Sequence, residues 1–222
     1  MTTTPHAFEL LQKELQKTIS NAKLVPRSLP LCPQVQLYLL NDDFPRGPLP
    51  HEEMLAVLRE PAYWAFCWAS GQVLAGYLIR HPELCEGKTI LDFGAGSGVV
   101  GMAAALAGAK RVICCDIDPC ALLSCQANAE LNNVNIELLE DIYAIEGDVD
   151  WVIAADVLYD RENFPWIKIL PTLAKEVLIA DSRVKSDKLA GYQIVDRLSA
   201  TTIPDLDEFK EFNDVRVYRN LG

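Results

Sequence analysis

The stretch Thr89 to Gly101, TILDFGAGSGVVG, constrains this chain more than any other. Thr89 to Phe93 is a short apolar run with β-branched residues and one carboxylate, Asp92. Gly94, Gly96 and Gly98 then alternate with small residues, and Val99 to Leu106 opens a helix. Strand, glycine turn and helix in that order form the ligand-holding end of a parallel α/β sheet. Glycines permit positive φ and clear side chains from the turn, so a polar ligand can approach backbone N–H groups at the helix start. Two registers are open. Gly96-x-Gly98-x-x-Gly101 fits a dinucleotide fingerprint, with Asp116 about 20 residues further on. Asp92-x-Gly94-x-Gly96-x-Gly98 starts the turn where the strand ends and is the preferred register.

The rest of the chain repeats the same unit. Arg111 to Cys115 reads as a second strand, ending at Asp116. Asp118-Pro119 is an N-cap followed by a first helical residue, and that helix runs to about Leu131, where Asn132-Asn133 stops it. Ile136 to Leu139, Trp151 to Ala155 and Val177 to Ala180 are further strands. Carboxylates therefore mark five strand ends: Asp92, Asp116, Asp141, Asp156 and Asp181. Such a row on one edge of a parallel sheet suits a ligand rich in hydroxyls, amines and positive charge.

The flanks are less regular. Thr4-Pro5 signals a helix start, and Phe8, Leu11, Leu15 and Ile19 keep helical spacing, predicting a helix over about Pro5 to Ala22 that covers the sheet or cleft. Pro26, Pro30 and Pro33 break the chain, Val35 to Leu39 is a short strand, and Asn41 to Pro50 is turn-rich. Ala62 to Arg80 reads as a helical block, interrupted at Ser70-Gly71, where backbone can pass close to something bound. Leu189 to Leu198 is expected as a helix. Thr201 to Ile203 and Val215 to Tyr218 are expected as a closing antiparallel pair. The expected fold class is α/β: a Rossmann-like doubly wound seven-stranded sheet, mostly parallel, with helices on both faces. Residues 1–60 form a helical lead-in and residues 61–222 the ligand-binding domain. A chain of this length leaves no room for the second domain of a nicotinamide enzyme, which counts against an NAD-dependent oxidoreductase.

Charge and cysteine usage narrow the partners. The net charge of -11 argues against nonspecific binding to nucleic acid or an anionic membrane. No apolar run approaches the ~18 residues of a membrane span. The seven cysteines contain no CxxC pair and read as small buried hydrophobes in a reducing, cytoplasmic setting, with no metal site.

Four stretches, QLYLLNDDFP, PAYWAFCWASGQVLAGYL, ILDFGAGSGVVGMAAALAGAKRVICCDIDP and DWVIAADVLYD, together resemble the seven-β-strand methyltransferases of family 16. The preferred glycine register resembles motif I of that class. The resemblance implies S-adenosylmethionine (AdoMet) as cofactor and protein-lysine N-methylation as the activity, with an exposed lysine of a protein substrate as acceptor. The electron transfer flavoprotein β subunit is the first expectation for that acceptor; ribosomal protein L11 or a small amine such as nicotinamide are alternatives, and a non-catalytic AdoMet-binding module is a further one. Gly94, Ala95 and Gly96 would give close backbone contact to the cofactor. Asp116 would accept the ribose hydroxyls, Asp141 the adenine amine, and the Ile142 backbone would address a ring nitrogen. Asp92 would balance charge or brace the turn. Trp68 and Ala155 would line the cofactor site by resemblance. Asp156 and Tyr159, the ends of an acidic-x-x-aromatic motif, would surround the acceptor amine and carry catalysis, the one by charge and the other by its ring face.

Overall fold

The computed structural model describes residues 6–44, 47 and 50–221. The Thr4-Pro5 helix-start signal and residues 45, 46, 48 and 49 of the turn-rich stretch lie outside the described residues. Nine strands are present among the described residues: β1 (Leu24–Leu29), β2 (Cys32–Leu40), β3 (Thr89–Phe93), β4 (Arg111–Cys115), β5 (Glu137–Leu139), β6 (Trp151–Ala155), β7 (Glu176–Asp181), β8 (Tyr192–Ser199) and β9 (Asp214–Asn220). The α-helices are α1 (Ala7–Thr18), α2 (His51–Arg59), α3 (Ala69–Arg80), α4 (Val99–Leu106), α5 (Pro119–Asn132) and α6 (Trp166–Ile169).

Seven strands form one sheet in the order β5-β4-β3-β6-β7-β9-β8. β5, β4, β3, β6 and β7 are parallel, and β9 and β8 close the edge antiparallel. From β3 the chain winds one way through β4 to β5; from β6 it winds the other way. The switch point therefore lies between the carboxyl ends of β3 and β6, where open α/β sheets bind ligands. The central strands are apolar and fully covered, as parallel strands between two layers must be. Leu91, Val152, Ile153, Ala154 and Ile179 are all buried. On one face, residues of α3, α4 and α5 fill the core with β2; on the other, Ile167 of α6 and residues of several 3-10 turns pack against the sheet.

Three expectations are corrected. Leu189 to Leu198 is not a helix: Tyr192–Ser199 is β8, paired to β9 from Tyr192↔Asn220 to Ser199↔Asp214. Its apolar residues fit either period when read alone, and the partner strand decides. The sheet has the expected seven strands, but Thr201 to Ile203 is not one of them. It makes only an isolated bridge, Ile203 to Cys67. Within Ala62 to Arg80, only Ala69–Arg80 is α-helical; Tyr63–Ala65 is a 3-10 turn that leads into an extended Phe66. The prolines also do less than expected. Pro26 lies within β1 and Pro33 within β2, which form a separate two-stranded hairpin turning at Pro30-Leu31. A two-stranded ribbon is all edge, where proline is tolerated. The lead-in thus holds a hairpin as well as helices. α2 was not anticipated.

Buried Asn128 of α5 ties this hairpin to the glycine turn. Its side chain accepts from the Tyr38 amide at 2.7 Å and donates to the Ser97 carbonyl at 2.8 Å. Among the described residues, no helix is long and apolar enough to cross a membrane, and all seven cysteines are free thiols.

Candidate active site

The glycine turn joins β3 to α4 in the preferred register. Gly94, Gly96 and Gly98 have φ of 67°, 53° and 74°, the left-handed region that costs other residues free energy. The Gly94 and Ala95 amides both donate to the Cys115 carbonyl, at 2.9 and 3.1 Å, fixing the turn to the end of β4. A Cβ on Gly94 would lie 2.6 Å from Val157 Cγ1, whereas one on Gly96 would meet nothing within 4 Å. The turn therefore packs tightly at its start and stays open at its middle. Gly101 belongs to the helix: a Cβ there would lie 2.6 Å from Cys114 Sγ. It serves close helix–sheet packing, not a second turn.

The five strand-end carboxylates do not form a uniform row; each accepts from backbone amides. Gly98 precedes α4 and Trp68 precedes α3 as their N-cap residues, and neither supplies a side-chain cap. Carboxylates from neighbouring strands supply the missing acceptors. Asp92 Oδ2 accepts from the Gly101 amide at 2.8 Å. Asp156 accepts from Ser70, through the amide at 3.0 Å and the hydroxyl at 2.6 Å. Asp116 accepts from Gly96 at 2.9 Å and from Asp118 at 3.0 Å. Asp141 accepts from the Tyr143 amide at 2.9 Å and is exposed. Asp181 accepts from Arg183 and Val184, both at 2.7 Å.

Burial is the largest influence on the protonation of this edge. It pushes Asp92 up to about 7, opposed by the Gly101 amide and reinforced by Asp116. Asp116 is also raised, again chiefly by burial. Asp156 is pushed up to about 7 by burial; the Ser70 hydroxyl and amide and Arg183 pull it down, and Asp181 pushes it further up.

A cavity lies at the switch point, lined by Trp68, Gly71, Asp92, Gly94, Ala95, Gly96 and Ala155, with Ser97, Val99 and Val100. Six expected site residues of this group thus come together: Trp68, Gly94, Ala95, Gly96, Ala155 and Asp92. Asp116 joins them through its bond to Gly96. Asp156 follows Ala155 directly, and its backbone is left-handed, φ 54°. Asp141 and Ile142 do not join the lining. Ile142 is buried in the core, on the face that holds α6.

An aromatic wall stands beside Asp156. Tyr159 is exposed, and its ring centroid lies 6.1 Å from that of Tyr63, which lies 5.9 Å from Trp68. The Trp68 indole donates to the Tyr63 carbonyl at 3.0 Å, fixing both. Sequence reasoning missed Tyr63 because it sits in a block read as helix. It flagged Ser70 only as an interruption, and nothing local links it to Asp156, 86 residues on. The physical origin of the Ser70-Gly71 interruption is partly packing: a Cβ on Gly71 would lie 2.9 Å from Val99 Cγ1.

The family model of ribosomal protein L11 methyltransferase (PrmA) matches residues 79–162. The electron transfer flavoprotein beta subunit lysine methyltransferase of Homo sapiens is 34% identical over 183 residues, covering 79% of this chain and 69% of that protein. Its counterpart in Danio rerio is 40% identical over 152 residues, covering 64% of this chain and 59% of the other. Among solved structures, the magnesium protoporphyrin IX methyltransferase of Synechocystis PCC 6803 with bound SAM aligns over 79% of this chain and 86% of its own, with a TM-score of 0.54 and 19% identity. At that identity the likeness concerns the fold.

Proposed function

We propose a protein acceptor for a chain that belongs to the family of electron transfer flavoprotein β-subunit lysine methyltransferases. The chain is an AdoMet-dependent methyltransferase of the protein-lysine class. Our finer reading is that its acceptor is a lysine of the electron transfer flavoprotein β subunit. The observation that carries the lysine reading is Asp156 with its aromatic wall, directly after the cavity-lining Ala155.

The cavity fits the cofactor on its own chemistry. Gly96 leaves open space at a positive φ, and Asp116 spends one amide bond per oxygen, leaving acceptor capacity for a diol. We assign Gly94, Ala95, Gly96, Trp68 and Ala155 to cofactor contact and Asp116 to the ribose. Asp92 braces the turn through Gly101. Asp141, exposed at the end of β5, and the Ile142 backbone are assigned to the adenine end. Bound AdoMet supplies an electrophilic methyl on a sulfonium.

The chain's own work is to bring a neutral amine to that methyl. A lysine arrives protonated, with a pKa of ~10.4 in water, against ~3.9 for an ordinary aspartate. Asp156, pushed up to about 7, closes roughly half of that gap. A carboxylate at this position attracts the ammonium, the Tyr159 and Tyr63 faces attract it as well, and desolvation lowers its pKa. Geometry then does the rest, since displacement needs mainly alignment.

The L11 family match favours a second acceptor, ribosomal protein L11. Its span, residues 79–162, is centred on the cofactor half of the sheet. The test is label transfer from radioactive AdoMet to purified β subunit, purified L11 and nicotinamide, side by side. Label in the β subunit supports the first reading; label in L11 or nicotinamide alone replaces it. A cytoplasmic location is part of the same proposal, supported by seven free thiols, and cell fractionation checks it.

A further inference from the structure

We propose that Ser70 is a positioning residue for methyl transfer, holding the Asp156 carboxylate in its ionised form and aimed at the incoming amine. The proposal rests on the reading of Asp156 as the group that meets the acceptor. Its basis is geometric. Ser70 is fully buried at the second position of α3. It donates twice to one carboxylate, the amide to Oδ2 at 3.0 Å and the hydroxyl to Oδ1 at 2.6 Å. Two donors on two oxygens fix the plane of the carboxylate as well as its position. The Asp156 backbone is left-handed, φ 54°, a conformation that aspartate adopts more readily than most side-chain-bearing residues.

The amide alone would serve the helix start. Among the described residues, Asp92 caps α4 through a single amide bond, with no hydroxyl partner. The added hydroxyl therefore distinguishes the acceptor-side carboxylate from its counterpart on the cofactor side. The other charged and titratable groups facing Asp156 do not replace it. Asp181 of β7 opposes ionisation, and Arg183 favours it from the loop after β7. The guanidinium is already paired with Glu208 at 2.6 Å. Cys67, just before α3, also faces Asp156 and is itself driven towards the neutral thiol, by burial first.

Loss of the hydroxyl leaves one donor and raises the Asp156 pKa. The direct readout is a pH titration of aspartates labelled with 13C at the carboxyl, followed by NMR with S-adenosylhomocysteine bound. Asp156→Asn identifies the resonance. Ser70→Ala is expected to move its midpoint up by about one pH unit. Methyl transfer reports the same shift. Below the Asp156 pKa, log(kcat/KM) depends on two protons, and above it only on the lysine proton. The break between these slopes should move up with the resonance.

An unmoved midpoint and break, with a rate lowered evenly at every pH, would reduce Ser70 to a helix-start residue and overturn the proposal. Ser70→Cys nearly keeps the volume and donates weakly; it is expected to give a smaller upward shift and serves in place of an alanine variant that does not fold. The two readings fail separately. A moved midpoint with no methylated lysine in any acceptor refutes the lysine-methyltransferase reading alone. An unmoved midpoint in an enzyme that methylates lysine refutes the role of Ser70 alone.

Discussion

The two sides of the switch point are built from different material. On the β3–β4 side the edge is built of backbone: three glycines at positive φ, with Asp92 and Asp116 turned onto amides of the turn and the helix start. On the β6 side it is built of side chains: Asp156, Tyr159 and Tyr63. Backbone presents the same groups whatever the sequence around it, so it suits a ligand common to many enzymes. Side chains are particular to the chain and suit an acceptor that is not. A shared fold can therefore carry one cofactor and many acceptors.

The contrast predicts separable losses. The largest effect is expected on the backbone side. Gly94→Ala forces a Cβ to 2.6 Å from Val157 at a φ of 67°, so calorimetry should find S-adenosylhomocysteine affinity reduced by about 100-fold or more, with a stability loss of about 1–3 kcal/mol in denaturant melts. Asp116→Ala should weaken the same ligand about 10- to 100-fold, since it removes charged acceptors and frees the Gly96 amide. On the side-chain side, Tyr159→Ala and Tyr63→Ala should each raise KM for the protein acceptor about 3- to 10-fold, the worth of a cation–aromatic contact, and leave cofactor affinity within about 2-fold. Equal losses of cofactor and acceptor binding in either tyrosine variant would break the contrast.

A separate effect concerns stability. Burial holds the Asp92 pKa at about 7, above an unfolded value near ~4. The folded chain thus keeps a proton there that the unfolded chain releases. The stability this contributes is complete below about pH 4 and is lost as pH rises through about 7. Asp92→Asn keeps an acceptor for Gly101 and removes the buried charge. It should raise stability at pH 8 relative to pH 5 by about 2–3 kcal/mol, read from urea melts at the two pH values.

Legibility in the sequence followed the range of the interactions. β3, β4, β6, α4 and the Asp118-Pro119 start of α5 coincide with their expected limits, because apolar runs, caps and glycine turns are set by neighbours in sequence. The Leu189 to Leu198 stretch was misread because its side chains fit two periods and only β9 chooses between them. The row of five carboxylates was legible as positions on one edge, but not as partners. Asp92 caps the helix that follows its own strand, whereas Asp156 caps one whose Ser70 lies 86 residues earlier in the chain. Likewise Tyr63 became visible beside Tyr159 only once β6 and the turn before α3 met across the sheet edge.

The most direct test of the division between the two sides is S-adenosylhomocysteine affinity and methyl transfer measured together in Asp156→Ala. The account predicts transfer reduced by at least about 100-fold, the scale of losing a positioned charged group, with affinity within about 3-fold of the unaltered chain. Affinity that fell in step with transfer would make Asp156 part of the cofactor site and contradict the account.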